Sequence, residues 1–245
     1  MTTLEIAVQD VDGAVVALQE GADRIELCSA LGATGGLTPS YGMIQLCAHV
    51  GVPQGVQVLI RSRAGSFVFD EREKRVQLID VKSAILAGAR GVVVGGLTES
   101  GRIDVDFAAQ LVDAAHEEAR RCNRHVQVTF HRAFDMVPDQ FSALDTLIEL
   151  GYDRVLTSGG APSVPEGLDR LRALVHHAAG RIQIEAGGGV KVDRIGDIRS
   201  TGVDAVHLSA KTLVSAQGGP GGGGDTPLER TDRYVVRAAV AAAHA

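Results

Sequence analysis

Four short stretches of this chain carry side chains whose types and spacing suit chemistry. Thr129–Asp135 (TFHRAFD) offers an imidazole, a guanidinium and a carboxylate within seven residues. In that group His131 can move a proton near neutral pH, Asp135 can orient it, and Arg132 suits a planar anion. Arg61 and Arg63, two apart in IRSRAG, share one side of a strand terminus and can grip a carboxylate or phosphate bidentately. One of them pairing with Glu26 while the other meets solvent is the structural alternative. Glu185–Val190 (EAGGGV) places Gly187 and Gly188 where free backbone N–H groups can cradle an anion, with Ser209 in Leu208–Lys211 completing the seat. A tight turn serves the same residues equally well. Cys28 follows Glu26 closely, and its thiolate suits a soft ion such as Cu(I), although soft sites ordinarily need two or more sulfur or imidazole ligands. Cys47 and Cys122 fall in helical segments, and no C-x-x-C spacing exists, so neither a disulfide framework nor a zinc ribbon is indicated.

Positioning these groups requires a regular scaffold, and the hydrophobic pattern describes one. Eight short β-branched runs alternate with longer amphipathic ones: residues 4–8, 24–28, 56–60, 92–94, 125–130, 154–156, 181–185 and 205–208. The intervening segments, 10–21, 70–88, 104–121, 138–151, 165–179 and 192–202, have helical period. Thr38-Pro39-Ser40 reads as the N-cap and first two residues of another helix, and residues 229–245 as the last. Gly88, Gly151 and Gly202 stand just before the next strand, as αβ turns prefer. Eight βα units in 245 residues predict an α/β fold, a (β/α)₈ TIM barrel, as a single domain over 1–245. A doubly wound sheet is the alternative, but the first strand leads into no G-x-G-x-x-G turn. The glycine tract at 217–227 reads as a flexible loop after the eighth strand, either a spacer or a lid over the site.

Period-two alternation separates the two faces of each strand. It directs Glu5, Ala7, Arg24, Glu26, Cys28, Gln57, Leu59 and Arg61 inward. On the later strands it does the same for His125, Gln127, Thr129, His131, Gln183, Glu185, His207 and Ser209. Barrel interiors are normally filled by apolar side chains, so so many ionisable groups must pair, line a wet cavity or meet a ligand. For Glu5 and Gln57 a polar plug at the barrel bottom is expected. For Cys28, Arg61, His131 and Ser209, at the C-terminal strand ends, a site is expected.

Composition narrows the partners. The chain carries 24 Lys and Arg against 30 Asp and Glu, a net charge of −6, with 4% aromatic residues. That balance lacks the cationic footprint of a nucleic-acid binder. No apolar run reaches the ~20 residues that span a bilayer, and the first residues show no basic stretch before an apolar one. No nucleic acid, no membrane and a cytosolic location are therefore expected.

Taken together, GADRIELC (21–28), GGLTPS (35–40), TFHRAFD (129–135) and RVLTSG (154–159) make a jointly specific set that resembles the CutC family over nearly the whole chain. The resemblance implies a cytosolic (β/α)₈ barrel, a homo-oligomer, and an association with copper homeostasis in which Cu(I) is the cargo and Cys28 its ligand. Members that resemble a Cu(I) binder carry a further cysteine at the end of the first strand, where this sequence has Ala7 and Val8. Two functions remain open on these residues. One is copper handling in the cytosol through Cys28 with a nearby histidine. The other is an enzyme acting on a small anionic metabolite, held by Arg61, Arg63, Arg132, Gly187, Gly188 and Ser209, with Glu26, His131 and Asp135 as catalytic groups.

Overall fold

The computed structural model describes residues 2–215 and 227–245. Eight parallel strands close into a barrel in the order of the chain. They are β1 (Thr3–Val8), β2 (Arg24–Leu27), β3 (Val56–Leu59), β4 (Gly91–Val94), β5 (Gln127–Phe130), β6 (Arg154–Thr157), β7 (Gln183–Gly187) and β8 (Ala205–Leu208). The helices around them are α1 (Val11–Gln19), α2 (Leu31–Thr34), α3 (Tyr41–Val50), α4 (Glu71–Ala87), α5 (Val105–Arg121), α6 (Gln140–Glu149), α7 (Leu168–Ala178), α8 (Ile195–Arg199) and α9 (Arg233–Ala243). Among the described residues no helix is long and apolar enough to cross a membrane.

Local chemistry starts and stops these elements where the sequence suggests. Asp10, Asp70, Asp104, Asp139 and Asp232 each accept backbone N–H groups of the first turn they precede. Asp70 and Glu73 form a reciprocal capping box on α4. Gly88 ends α4 at φ +115°, where a side chain would be strained and a Cβ would lie 2.9 Å from that of Ala48. A G-x-D triplet recurs before β2, β6 and β8. In each, the carboxylate of Asp23, Asp153 or Asp204 accepts an N–H of the preceding strand, at Leu4, Val128 and Ile184, over 2.7–2.8 Å. These clamps lie at the N-terminal ends of the strands, the face that serves stability in such barrels.

Three expectations are corrected. The α3 cap is Ser40 itself, which accepts from Met43 N–H, because Pro39 sits outside the helix. His125 precedes β5 and is exposed, so it does not enter the barrel. The last helix begins at Arg233; Glu229–Thr231 belong instead to β10 (Leu228–Thr231), antiparallel to β9 (Lys211–Val214). The glycine tract expected as a loop at 217–227 lies outside the described residues except for Pro227.

The apolar core sits between strands and helices and takes in Leu4, Ile6, Ile25, Val58, Val92, Phe130 and Ile184. Inside the ring a different layer forms. Arg24 donates to Glu5, and to Glu185 Oε1 at 2.5 Å. Arg154 donates to Gln127, Thr129 and Gln183 over 2.9–3.0 Å. Both arginines are fully buried, and their fork-shaped donor sets satisfy acceptors from three strands, β1, β5 and β7. Glu5 and Glu185 are therefore structural, part of a polar plug beneath the cavity.

Candidate functional site

Above this plug a cavity of about 600 Å³ opens at the C-terminal ends of the strands. Ala7, Glu26, Leu59, Arg61, His131, Leu156, His207 and Leu208 supply its floor and walls, while Gly188, Gly189, Ser209 and Lys211 stand at its rim. Strand register explains the gathering: Glu26 is paired with Ala7, and His207 with both Glu5 and Gly187.

Arg61 is 6% exposed and has no carboxylate partner among the described residues. Its Nη1 donates to the carbonyls of Thr34 and Gly36 and its Nη2 to that of Gly65, while its Nε has no acceptor among the described residues. The guanidinium also lies over the Phe67 ring at 4.9 Å. Burial, then the neighbouring Arg63 charge, lowers its pKa below the usual range. Such a cation gains from an anion brought into the cavity.

Arg63 does not join it. Its guanidinium grips the Glu73 carboxylate and donates to the carbonyls of Ser66 and Val68, away from the cavity. The expected arginine pair is thus a single arginine, because the chain turns after Arg61 and an acid on α4 captures the second. Arg61 does not pair with Glu26 either.

His131 is buried, and its Nδ1 accepts from Ala133 N–H at 3.2 Å. Burial, then the charge of Arg61, pushes its pKa down to about 3. It is consequently a neutral Nε2–H donor near neutral pH rather than the proton carrier expected from its type. Asp135 does not touch it. That carboxylate accepts from Arg132 Nε at 2.9 Å, from Thr157 Oγ1 at 2.5 Å, and from the N–H groups of Ser158 and Gly160. The short 3₁₀ turn over Arg132–Met136 aims it there, so Asp135 positions Arg132 instead of an imidazole.

Glu26 faces the cavity, and its Oε2 has no donor among the described residues. Burial raises its pKa to about 7, opposed by His207 and reinforced by the nearby Glu5 and Glu185 charges. The sequence places His207 inside the barrel without giving it a role. The structure puts its Nδ1 2.8 Å from Glu5 Oε1 and 4.0 Å from Glu26 Oε2. Burial opposes its protonation, but Glu26 and the hydrogen bond to Glu5 outweigh that and raise its pKa to about 9. The signal that could have flagged it was its inward position beside two strands that carry inward glutamates.

Gly188 and Gly189, at φ +112° and +67°, turn the chain at the rim. None of the N–H groups of Gly188, Gly189 and Val190 donates to another described residue. The Arg132 guanidinium packs so closely on Gly188 that a Cβ there would sit 2.6 Å from its Cζ. Gly187 ends β7 and does not line the cavity; its missing side chain makes room for Leu156 and His207. Ser209 is exposed at the rim.

Cys28 is fully buried against Leu31, Leu59 and Val93, with Sγ 3.9 Å from the carbonyl of Val8. Burial, then the charges of Glu26 and Glu229, push its thiol well above the usual range. Among the described residues no cluster of potential metal ligands includes Cys28, and Ala7 and Val8 stand at the end of β1. The donor set does not fit Cu(I). Among the described residues, the potential ligands that do cluster are Glu5, Glu185 and His207. Arg24 is bonded to both carboxylates and takes the place a cation would need.

Comparison with known proteins adds a family signature. Residues 2–212 match the model of the CutC family. The chain is 45% identical over 213 residues to a family protein CutC of Vibrio campbellii, covering 86% of this chain and 83% of that one. It is 43% identical over 216 residues to the human copper homeostasis protein cutC homolog, covering 85% and 73%. The crystal structure of CutC from Streptococcus agalactiae superposes with a TM-score of 0.76 at 32% identity, covering 84% of this chain and 98% of that one.

Proposed function

The chain belongs to the CutC family, and from that premise we propose that it is an enzyme that binds a small anionic metabolite at the mouth of its barrel. One observation carries the reading: the buried Arg61 guanidinium lines the cavity with no carboxylate among the described residues to neutralise it. A buried charge left unpaired is destabilising, and a ligand carboxylate or phosphate relieves it. Arg132 and the Gly188–Gly189 turn offer further donors on the same cavity. Glu26 supplies a carboxyl group that ionises near neutral pH, as acid–base chemistry requires.

Thermal unfolding in the presence of inorganic phosphate and small phosphate esters tests this. Saturating ligand raises the melting temperature; a hundredfold excess over Kd corresponds to about 2.7 kcal/mol. The rise shrinks in Arg61→Ala and persists in Arg63→Ala. A flat response to every anion overturns the reading.

Copper enters through the names of the human and mouse relatives, which are called copper homeostasis proteins. The surroundings of Cys28 do not support Cu(I) ligation, and no step is assigned to that thiol. Anaerobic competition against a Cu(I) chelator gives equal results for wild type and Cys28→Ser; loss of stoichiometric binding in the variant would reinstate it.

A further inference from the structure

Resting on the anion reading above, we propose that Glu26 and His207 move a proton at the carbon beside a carbonyl group of a phosphorylated hydroxy-carbonyl compound, a monophosphate of the aldose–ketose class. Three placements support this. The first is a seat for a tetrahedral oxyanion, made by the unused N–H groups of Gly188, Gly189 and Val190 beside the Arg132 guanidinium. Successive backbone N–H groups in a turn can form an anion-binding concavity.

The second is depth. His207 is the register neighbour of Gly187, so its ring lies next to the seat and further into the barrel. Its Nδ1 donates to Glu5, which leaves Nε2 for a ligand oxygen in the cavity. Glu5 is itself held by Arg24, and Arg24 by Glu185, so these three are positioning residues.

The third is what accompanies them. Glu26 stands on the neighbouring wall, 4.0 Å from the imidazole, with its Oε2 unpartnered. The nucleophiles near the cavity are ill placed for covalent work: Ser209 is at the rim, Lys211 is paired with Glu229, and Cys28 is buried away from it. The floor can accept and donate protons. At neutral pH part of the Glu26 population is ionised while His207 is protonated, which is the complement enolisation needs.

The step balances without oxidant or reductant. Glu26 carboxylate takes the proton from the hydroxyl-bearing carbon, and the C–H electron pair becomes the C=C bond. The carbonyl π pair moves to oxygen, which takes the Nε2 proton of His207, giving an enediol. Glu26 then returns its proton to the former carbonyl carbon. Neutral His207 removes the proton of the other hydroxyl, whose oxygen becomes the new carbonyl.

The test is proton NMR in D₂O with a set of three- to six-carbon aldose and ketose monophosphates, alongside melting temperatures with the same compounds. Loss of the C–H signal beside the carbonyl is expected for at least one of them, and not for the corresponding unphosphorylated sugar. Glu26→Gln and His207→Gln each slow the exchange about 10²- to 10⁴-fold while the phosphate-dependent rise in melting temperature remains. Stabilisation by these phosphates with no exchange from any of them overturns the proton transfer and leaves the anion reading standing. Exchange that survives Glu26→Gln, or that is equally fast without the phosphate, overturns the assignment of residue or substrate class. Absence of any anion-dependent stabilisation removes the reading beneath it as well.

Discussion

Glu5 and His207 are 202 residues apart, yet Glu5 Oε1 accepts from His207 Nδ1 at 2.8 Å because β1 and β8 pair at that register to close the ring. The same carboxylate is held by Arg24, so the polar plug and the cavity floor share one anion. Structural charge and candidate chemistry are thereby coupled.

Removing the arginine of the plug is expected to be severe. Arg24→Met leaves Glu5 and Glu185 buried without their shared partner, and breaking such a pair costs about 3–5 kcal/mol. Urea unfolding measures the loss. Adding Glu5→Gln and Glu185→Gln to the variant should recover part of it; no recovery would mean that the carboxylates are not the source of the penalty.

Stability should fall as pH rises from mildly acidic to alkaline. The folded protein holds the His207 proton more tightly than the unfolded chain does, so this stabilisation is whole below pH 6.5 and vanishes as pH climbs through about 9. Burial of Glu26 acts in the same direction, its contribution fading between pH 4.5 and about 7. Glu5 works oppositely: despite burial, Arg24 and His207 depress its pKa, so its contribution exists above pH 4.5 and is lost only in strong acid. Urea midpoints across pH 6.5–9 should decline in wild type and much less in His207→Gln. Parallel slopes would refute the account.

Asp135 offers a test of positioning. Asp135→Asn weakens the bond to Arg132 Nε and disturbs the turn at Ser158 and Gly160. Phosphate binding should weaken about tenfold, the ~1.4 kcal/mol expected for disturbing a charge-assisted hydrogen bond. Titration calorimetry reads it. Unaltered affinity would show that Arg132 needs no such support.

The three thiols should separate by alkylation under native conditions. Cys122 is half-buried and should react first. The thiol of Cys47, pushed up to about 11 by burial and by Asp10, loses about 100-fold in thiolate. Labelling of Cys28 should await global unfolding, as followed by mass spectrometry. Fast native reaction at Cys28 would contradict its protonated, enclosed state.

Much of the scaffold was legible because alternation in a strand is a strong signal. RIEL and VQVL place Arg24, Glu26, Gln57 and Leu59 on the inner face, and the register agrees. The C-terminal strand ends were likewise readable as the location of a cavity. What the pattern could not convey is where a side chain goes once the strand has ended. Arg63 lies in an irregular segment and Asp135 in a short 3₁₀ turn, so their partners, Glu73 and Arg132, follow from turn geometry. The β9–β10 pairing was hidden for another reason: the register of Lys211 with Thr231 spans a long glycine-rich interval, and the charges of LERTDR mimic a helix start.

The two carboxylates that flank Arg24 reach it from opposite ends of synthesis. Glu5 emerges with it, whereas Glu185 and the imidazole that engages Glu5 arrive only in the final quarter of the polypeptide. A nascent chain halted before β7 therefore carries ionic groups whose counterparts do not yet exist. A smaller ring, sealed early around fewer strands, would trap them unmatched. Closing the ring with all eight strands is what brings these ionic groups to their partners.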